Sequence, residues 1–283
     1  MELNIDRLTI EVTRKCNMNC EHCLRGASQR KTIDNAYIHK IFSLIDSVYS
    51  LIITGGEPTL AMDSLEHIVN CIDYDGCSVG DFYIVTNGKT INVERMARWV
   101  NQMYRACDSN EISMVGFSFD PWHRDTFNWQ QAEKQERNYN NLKEMMEFEY
   151  GIGDNGCDTP IISKHSDETW RHKDLISEGR GANGLGTREL EVKTFEQETY
   201  NESISFSETT LYLSSNGWLV AGSNWSYKSI DKRKDIRIAH IDDLNTKEDL
   251  INALKAYNVK HGVEEEQTEE ETQEFHKMYQ QMV

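Results

Sequence analysis

Cys16, Cys20 and Cys23 fall within eight residues, in the run Cys-Asn-Met-Asn-Cys-Glu-His-Cys. Three thiols this close are metal ligands by type and spacing. Iron–sulfur clusters are held by Cys thiolates, usually four of them. A set of three leaves one iron open to another ligand. The same residues also permit zinc, with His22 or a distant histidine as the fourth ligand. Adjacent His22 and Cys23 chelate one ion poorly, however, and the chain has no second C-x2-C and no H-x3-H pair.

The elements around these cysteines follow from periodicity. Residues 8–13 read as a strand, 35–45 as a helix, 50–54 as a strand and 64–72 as a helix. Residues 81–86 read as a strand, 93–106 as a helix, 114–119 as a strand and 125–148 as a long polar helix. Residues 161–164 could add a fifth strand. Strands alternating with helices of this length imply βαβ units and a parallel sheet. The unusual residues come just after strand ends. The cysteines follow the first strand, and Thr-Gly-Gly-Glu-Pro-Thr (54–59) closes the second. Asn87-Gly88 follows the third, and Ser118-Phe119-Asp120 closes the fourth. Sites in parallel α/β proteins form at the carboxyl ends of strands, so four segments point at one face.

Beyond residue 150 the pattern weakens into glycine-rich loops at 151–160 and 177–186. Residues 203–207 and 211–213 read as strands, and Asn216-Gly217 is a hairpin signal before a strand at 218–221. A helix is expected at 247–257, and the Glu- and Gln-rich tail 263–275 reads as a solvated helix or a disordered end.

Composition narrows the function. In 283 residues, hydrophobic side chains make up 38% and charged ones 27%, as in an ordinary globular protein. Lys plus Arg number 30 and Asp plus Glu 47, a formal net charge of −17. That charge repels a phosphate backbone, so nucleic acid is not the expected partner. No apolar run reaches the roughly 18 residues of a membrane span, and the N-terminus has no signal-peptide pattern. The cytoplasm is the default location. Seven cysteines without such a signal argue against a disulfide framework. Cys71 and Cys107 end apolar helical stretches and read as buried small hydrophobes. Cys77 and Cys157 lie in Gly-flanked loops, and a role for either stays open.

C-x3-C-x2-C after a first strand, with Gly-Gly-Glu-Pro after a second, resembles the radical S-adenosylmethionine superfamily over roughly residues 5–185. The resemblance implies an α/β fold, a partial (β/α)6 TIM-like barrel with a small α+β C-terminal extension. The barrel is expected over residues 1–200 and the extension over 201–283. The resemblance further implies one 4Fe-4S cluster on Cys16, Cys20 and Cys23, with S-adenosylmethionine on the fourth iron. His22 matches the position that packs near the adenine. Gly55, Gly56 and Glu57 match the segment that contacts the methionine amino group, where glycine permits close backbone approach. Ser118 and Asp120 match the ribose-binding position, on the expectation that strand alternation points both one way. Asn87 is expected to line the same pocket or to serve the turn. Arg180 in Glu-Gly-Arg-Gly-Ala resembles an arginine that pairs with the S-adenosylmethionine carboxylate. The implied reaction is reductive cleavage to a 5′-deoxyadenosyl radical that takes hydrogen from a substrate. A one-electron reductant such as flavodoxin or ferredoxin would be the partner.

Residues 211–227 resemble the hairpin opening the SPASM or twitch extension of peptide- and protein-modifying members. Ser223 stands where a cysteine commonly begins an auxiliary cluster, and no cysteine follows Cys157. One cluster is therefore expected, and the hairpin is either scaffold or a generic Asn-Gly turn. The substrate reading that follows is a peptide or protein side chain. A small-molecule metabolite or natural-product precursor is the alternative, and a non-catalytic metal-binding protein is a third reading. His123 is the candidate catalytic residue, with Trp122, Trp225, Tyr212 and Tyr227 as weaker substrate-facing candidates. Each of these also reads as packing.

Overall fold

The structure is a computed structural model describing residues 1–108, 113–148, 150, 161–165, 177–182 and 190–263. Five strands, β1 (Glu2–Thr13), β2 (Ser47–Gly55), β3 (Ser78–Thr86), β4 (Met114–Ser118) and β5 (Ile161–His165), pair in parallel and in chain order. Between them run α1 (Asn35–Leu44), α2 (Met62–Asp75) and α3 (Val93–Ala106). Two helices follow β4: α4 (Pro121–Arg124) and α5 (Trp129–Phe148).

The rest of the described chain builds outward from the other edge of β1. There β7 (Ser203–Leu213) lies parallel to β1, and β6 (Glu196–Tyr200) and β8 (Trp218–Ala221) pair antiparallel to β7. The sheet ends in β9 (Arg237–His240). Two further helices are α6 (Tyr227–Lys232) and α7 (Lys247–Lys260). Strand order is β5-β4-β3-β2-β1-β7-β8-β9 with β6 on β7, and among the described residues the sheet stays open. This is the expected partial barrel. No described helix is long and apolar enough to cross a membrane.

The two faces of the sheet differ. Leu8, Ile10 and Val12 of β1, Leu51 and Ile53 of β2, Phe82 and Ile84 of β3, and Val115 and Phe117 of β4 are buried. They share one core with Ile38, Ile41 and Phe42 of α1, Leu65 and Ile68 of α2, and Met96, Trp99 and Val100 of α3. Alternate positions face the other way. On that side Thr9 and Glu11 are fully buried, while Ile52, Thr54, Tyr83 and Val85 are only half-buried. The helix-covered face is a packed apolar layer. The other face mixes polar and apolar side chains and is partly accessible.

Several sequence expectations are corrected. The long helix expected over 125–148 starts later, at Trp129, and a short helix precedes it. Asp120 caps α4, with Pro121 in its first turn, and Asn128 Oδ1 accepts from Gln131 N at 2.9 Å to start α5 afresh. Residues 203–207 and 211–213 belong to one strand. An irregularity opposite Asp6 carries Glu208 at φ 63°, so the break in pattern is a bulge and not a loop. The fourth strand stops at Ser118, so strand alternation does not extend to Asp120. The polar β6, and the short α6 and β9, had no periodic signal. Cys157, the 151–160 loop, residues 183–186 and the tail from 264 onward lie outside the described residues.

Candidate functional site

The cysteine loop leaves β1 and is tied back to the sheet by its backbone. Arg14 N donates to Lys31 O at 2.9 Å, Gln29 N to Arg14 O at 2.9 Å, and Cys16 N to the Ser28 hydroxyl at 2.8 Å. Within it, Cys23 N donates to Cys20 O and Gly26 N to Cys23 O, both at 3.2 Å. All three cysteines are free thiols; Cys20 is buried, Cys16 and Cys23 partly so. Burial pushes the Cys16 thiol up to about 11, and Glu57, Cys23 and Cys20 add to that. The loop alone therefore does not favour a thiolate at Cys16. A cation at the site would supply the missing stabilisation.

The second strand end is locked against this loop. Gly56 N donates to Thr13 O at 2.7 Å and Glu57 N to Lys15 O at 2.8 Å. A Cβ on Gly55 would meet Thr13 O at 2.5 Å, and one on Gly56 would meet Lys15 O at 2.4 Å. Both contacts are with backbone, which cannot swing aside. Gly56→Ala is expected to cost about 1–3 kcal/mol in a urea melt, as overpacking does, and to lower iron retention through the displaced Lys15–Cys16 backbone.

Glu57 is fully buried and turned toward the third strand end. Its carboxylate accepts from Thr59 N at 3.2 Å, Thr59 Oγ1 at 2.6 Å, Thr86 Oγ1 at 2.7 Å and Asn87 N at 2.8 Å. Burial raises its pKa despite these bonds. Asn87 in turn reaches the cysteine loop, its Nδ2 donating to Asn17 Oδ1 at 2.8 Å. Lys89 Nζ donates to Asn17 O at 3.1 Å. One amide from α5 then joins strand ends three and four: Gln135 Nε2 donates to Asn87 O at 2.8 Å and Ser118 O at 2.7 Å.

The fourth strand end brings Trp122, His123 and Asp120 to His22. The His22 ring lies 5.0 Å from His123 and 5.5 Å from Trp122, centroid to centroid. Burial, with His123 and Arg180 nearby, pulls the His22 pKa down to about 4, so the ring is neutral. Its Nδ1 is buried and makes no hydrogen bond. Burial opposes the His123 imidazolium, but the Asp120 carboxylate 2.5 Å away and the Cys20 sulfur prevail and raise its pKa to about 10. Burial likewise opposes the Asp120 carboxylate, whose bonds to His123 hold it below the usual range.

Arg180 arrives from residues 177–182 and braces the loop. Its Nε donates to Cys20 O at 2.6 Å, its Nη1 to Asn19 Oδ1 at 2.7 Å, and its backbone N to Cys23 O at 2.9 Å. The adjacent Gly179 sits at φ 57°, where a Cβ would meet Leu24 O at 2.2 Å. Arg180→Ala is expected to leave global stability nearly unchanged and to speed iron loss to a chelator. The chelator-release rate checks it.

The structure thus gathers Cys16, Cys20, Cys23, His22, Gly55, Gly56, Asn87, Ser118, Asp120, His123 and Arg180 at the carboxyl ends of β1 to β4 and the adjoining loops. Tyr212, Trp225 and Tyr227 are buried on the β7–β8–α6 side and meet the cysteine loop through Arg25, which donates to Trp225 O at 2.7 Å, accepts from Tyr227 N at 3.2 Å and lies over the Tyr212 ring at 4.9 Å. The sequence reading overlooked Glu11 and Arg14, both fully buried. Glu11 accepts from Arg14 Nε at 2.7 Å, Ser215 Oγ at 2.5 Å and Tyr212 OH at 2.6 Å. The signal was present: a carboxylate inside Thr-Ile-Glu-Val-Thr, an otherwise apolar-alternating strand.

The donor set fits the implied groups. Three thiols share one braced loop, the two glycines leave no room for side chains, and a buried imidazole nitrogen lacks a partner.

No family model matches the chain. It is 34% identical over 103 residues to an uncharacterized protein of Methanocaldococcus jannaschii. It is 31% identical over 91 residues to a probable GTP 3′,8-cyclase of Pyrococcus abyssi. The matches span 34% and 31% of this chain and 35% and 28% of those proteins, so about a third of each curated relative is matched. Among solved structures, native anSMEcpe with bound AdoMet and Kp18Cys peptide aligns at TM-score 0.50 and 13% identity. That alignment covers 91% of this chain and 83% of that one, and it establishes a shared fold. The shared fold, the cysteine spacing and the packing of Gly55-Gly56 on the cysteine loop agree with the resemblance read from the sequence.

Proposed function

We propose that this chain is a radical S-adenosylmethionine enzyme acting on a peptide or protein side chain. The observation that carries the enzyme reading is the convergence of three free thiols, a glycine pair and an unpartnered buried imidazole on one strand-end surface. Cys16, Cys20 and Cys23 would hold the 4Fe-4S cluster. When bound, cluster and S-adenosylmethionine together supply a strongly oxidising carbon radical, chemistry no side chain provides.

The protein's part is position and exclusion. The Gly55-Gly56 backbone would serve the methionine end, and Glu57 holds that backbone in place through Thr86 and Asn87. His22, neutral and flanked by Trp122, offers an apolar ring face and one polar atom to the adenine. Ser118 and Asp120 are assigned to the ribose, Asp120 oriented by His123. Arg180 keeps the cysteine loop in register. The half-buried positions on β2 and β3 leave a partly accessible face where a substrate side chain could lie, walled by the apolar layer behind it. The hairpin of β7 and β8 supports the peptide assignment by its likeness to peptide-modifying relatives.

The test is anaerobic reconstitution followed by dithionite reduction. The expected result is brown protein, about four irons per chain, and 5′-deoxyadenosine formed from S-adenosylmethionine. Deuterium carried from a labelled peptide pool, and not from labelled metabolites, into 5′-deoxyadenosine would support the substrate assignment. One observation favours a second reading: ligand atoms of His22, Asp120 and His123 lie within 4.8 Å of one another, as a mononuclear metal site requires. Colourless protein that forms no 5′-deoxyadenosine and loses one zinc on His123→Ala would establish that reading and defeat the first.

A further inference from the structure

We propose that α1 and α2 carry a separate mononuclear site for a zinc-class divalent ion, with His39, Cys71 and Asp75 as ligands. One ligand atom from each of the three lies within 4.8 Å of the other two. The arrangement follows from helix geometry. His67, Cys71 and Asp75 are spaced by four along α2, so they stack on one stripe. His39 comes across from α1, its Nδ1 at 2.9 Å from Asp75 Oδ2.

A second observation points the same way. His67 lines the same cavity as His39 and Cys71, about 400 Å³ in volume, and its Nε2 is buried without a hydrogen-bond partner. It lies one helical turn before Cys71 and outside the 4.8 Å ligand group, so water would complete the coordination. Nitrogen, sulfur and carboxylate oxygen together are the donors of tetrahedral zinc sites. The His39 side chain is 55% exposed, which gives the ion a way in, while Asp75 is 6% exposed. The site lies on the helix-covered side of the sheet, across the core from the cysteine loop.

Binding exchanges the Cys71 thiol proton for the metal, and the proton leaves to solvent. Nothing is oxidised or reduced. Because the ligand is the thiolate, affinity should rise with pH. A bound ion would clip α1 to α2 and stabilise the fold by linkage.

The probe is Co²⁺, added to the 283-residue chain carrying C16S, C20S and C23S, which removes the competing thiols. Circular dichroism first checks that this variant is folded. One equivalent should bind with a sulfur-to-cobalt charge-transfer band. H39A or D75N should weaken binding about tenfold or more, since even groups behind the ligands carry that much. C71S should abolish the band. If the triple variant does not fold, the wild-type chain is titrated beside C71S, and the band must lose one thiolate's intensity. Absence of binding at neutral pH, or a band that C71S leaves unchanged, overturns the proposal.

Discussion

Alanine at Cys16, Cys20 or Cys23, one at a time, should reduce iron content from about four per chain to near zero and 5′-deoxyadenosine formation below detection. On the proposed assignment each cysteine would supply one of the three thiolates that hold the cluster, so none could be spared. The backbone of the loop does not depend on the thiols. It is held by Thr13, Ser28, Lys31 and Arg180 through main-chain and hydroxyl bonds. The variants should therefore fold, with melting curves near wild type, and the loss would be one of metal. Cys77→Ala and Cys107→Ala are the controls. Both thiols are buried away from the loop and pushed up to about 12 by burial, with nearby carboxylates adding to it, so both are inert and should leave iron content unchanged. Full activity in any single loop variant would remove the cluster assignment.

The second large effect lies in the buried ion pair. Glu11→Ala should destabilise the protein by about 3–5 kcal/mol, the cost of removing one partner of a buried pair. Both side chains are essentially inaccessible, and Arg14 Nε is 2.7 Å from Glu11 Oε1. Arg14 also donates to Asp231 at 2.7 Å and Gln29 at 3.1 Å, and its guanidinium lies 4.7 Å from the Tyr227 ring centroid. Without Glu11, the guanidinium keeps Asp231 as its one charge partner among the described residues, itself a third exposed. Tyr212 OH and the Ser215 amide also lose their acceptor. Urea unfolding measures the change. The double variant E11A/R14M should be less destabilised than the sum of the singles, because it removes the stranded charge. A single-variant loss under about 1 kcal/mol would show that water reaches the pair, contrary to its burial. Since Glu11 bonds residues on β7 and beyond, the loss should appear as one transition across both halves of the sheet.

How much of this was legible in sequence depends on the range of the interaction. The βα alternation up to residue 118 came from local periodicity, and α3 was read to its ends because Asn92 caps it and its apolar face is strongly biased. The cysteines and Gly55-Gly56 were legible because metal ligation and close approach each demand particular residue types. Asp120 was misplaced because its helix-capping role competes with strand continuation, and Pro121 favours the cap. Glu57 was read as part of a ligand-contacting segment, and its carboxylate adds a role the sequence did not show, a buried brace between strand ends. Spacing cannot show which way a side chain turns. Arg180 lies more than 150 positions from the cysteines it braces, so no local pattern could assign it to Cys20 O and Asn19.

The sequence by itself determined the chemistry on offer: three thiols with one coordination position left over, glycines where backbone must approach, and strand ends to carry them. These are properties of residue type and short-range order. Only the tertiary structure decided who holds whom. Non-local packing closed β7 onto β1, buried Glu11 against Arg14, set His22 between Trp122 and His123, and laid His39 beside Cys71 and Asp75. Such contacts are chosen by the burial of whole faces, a free energy spread over the core and written in no single segment.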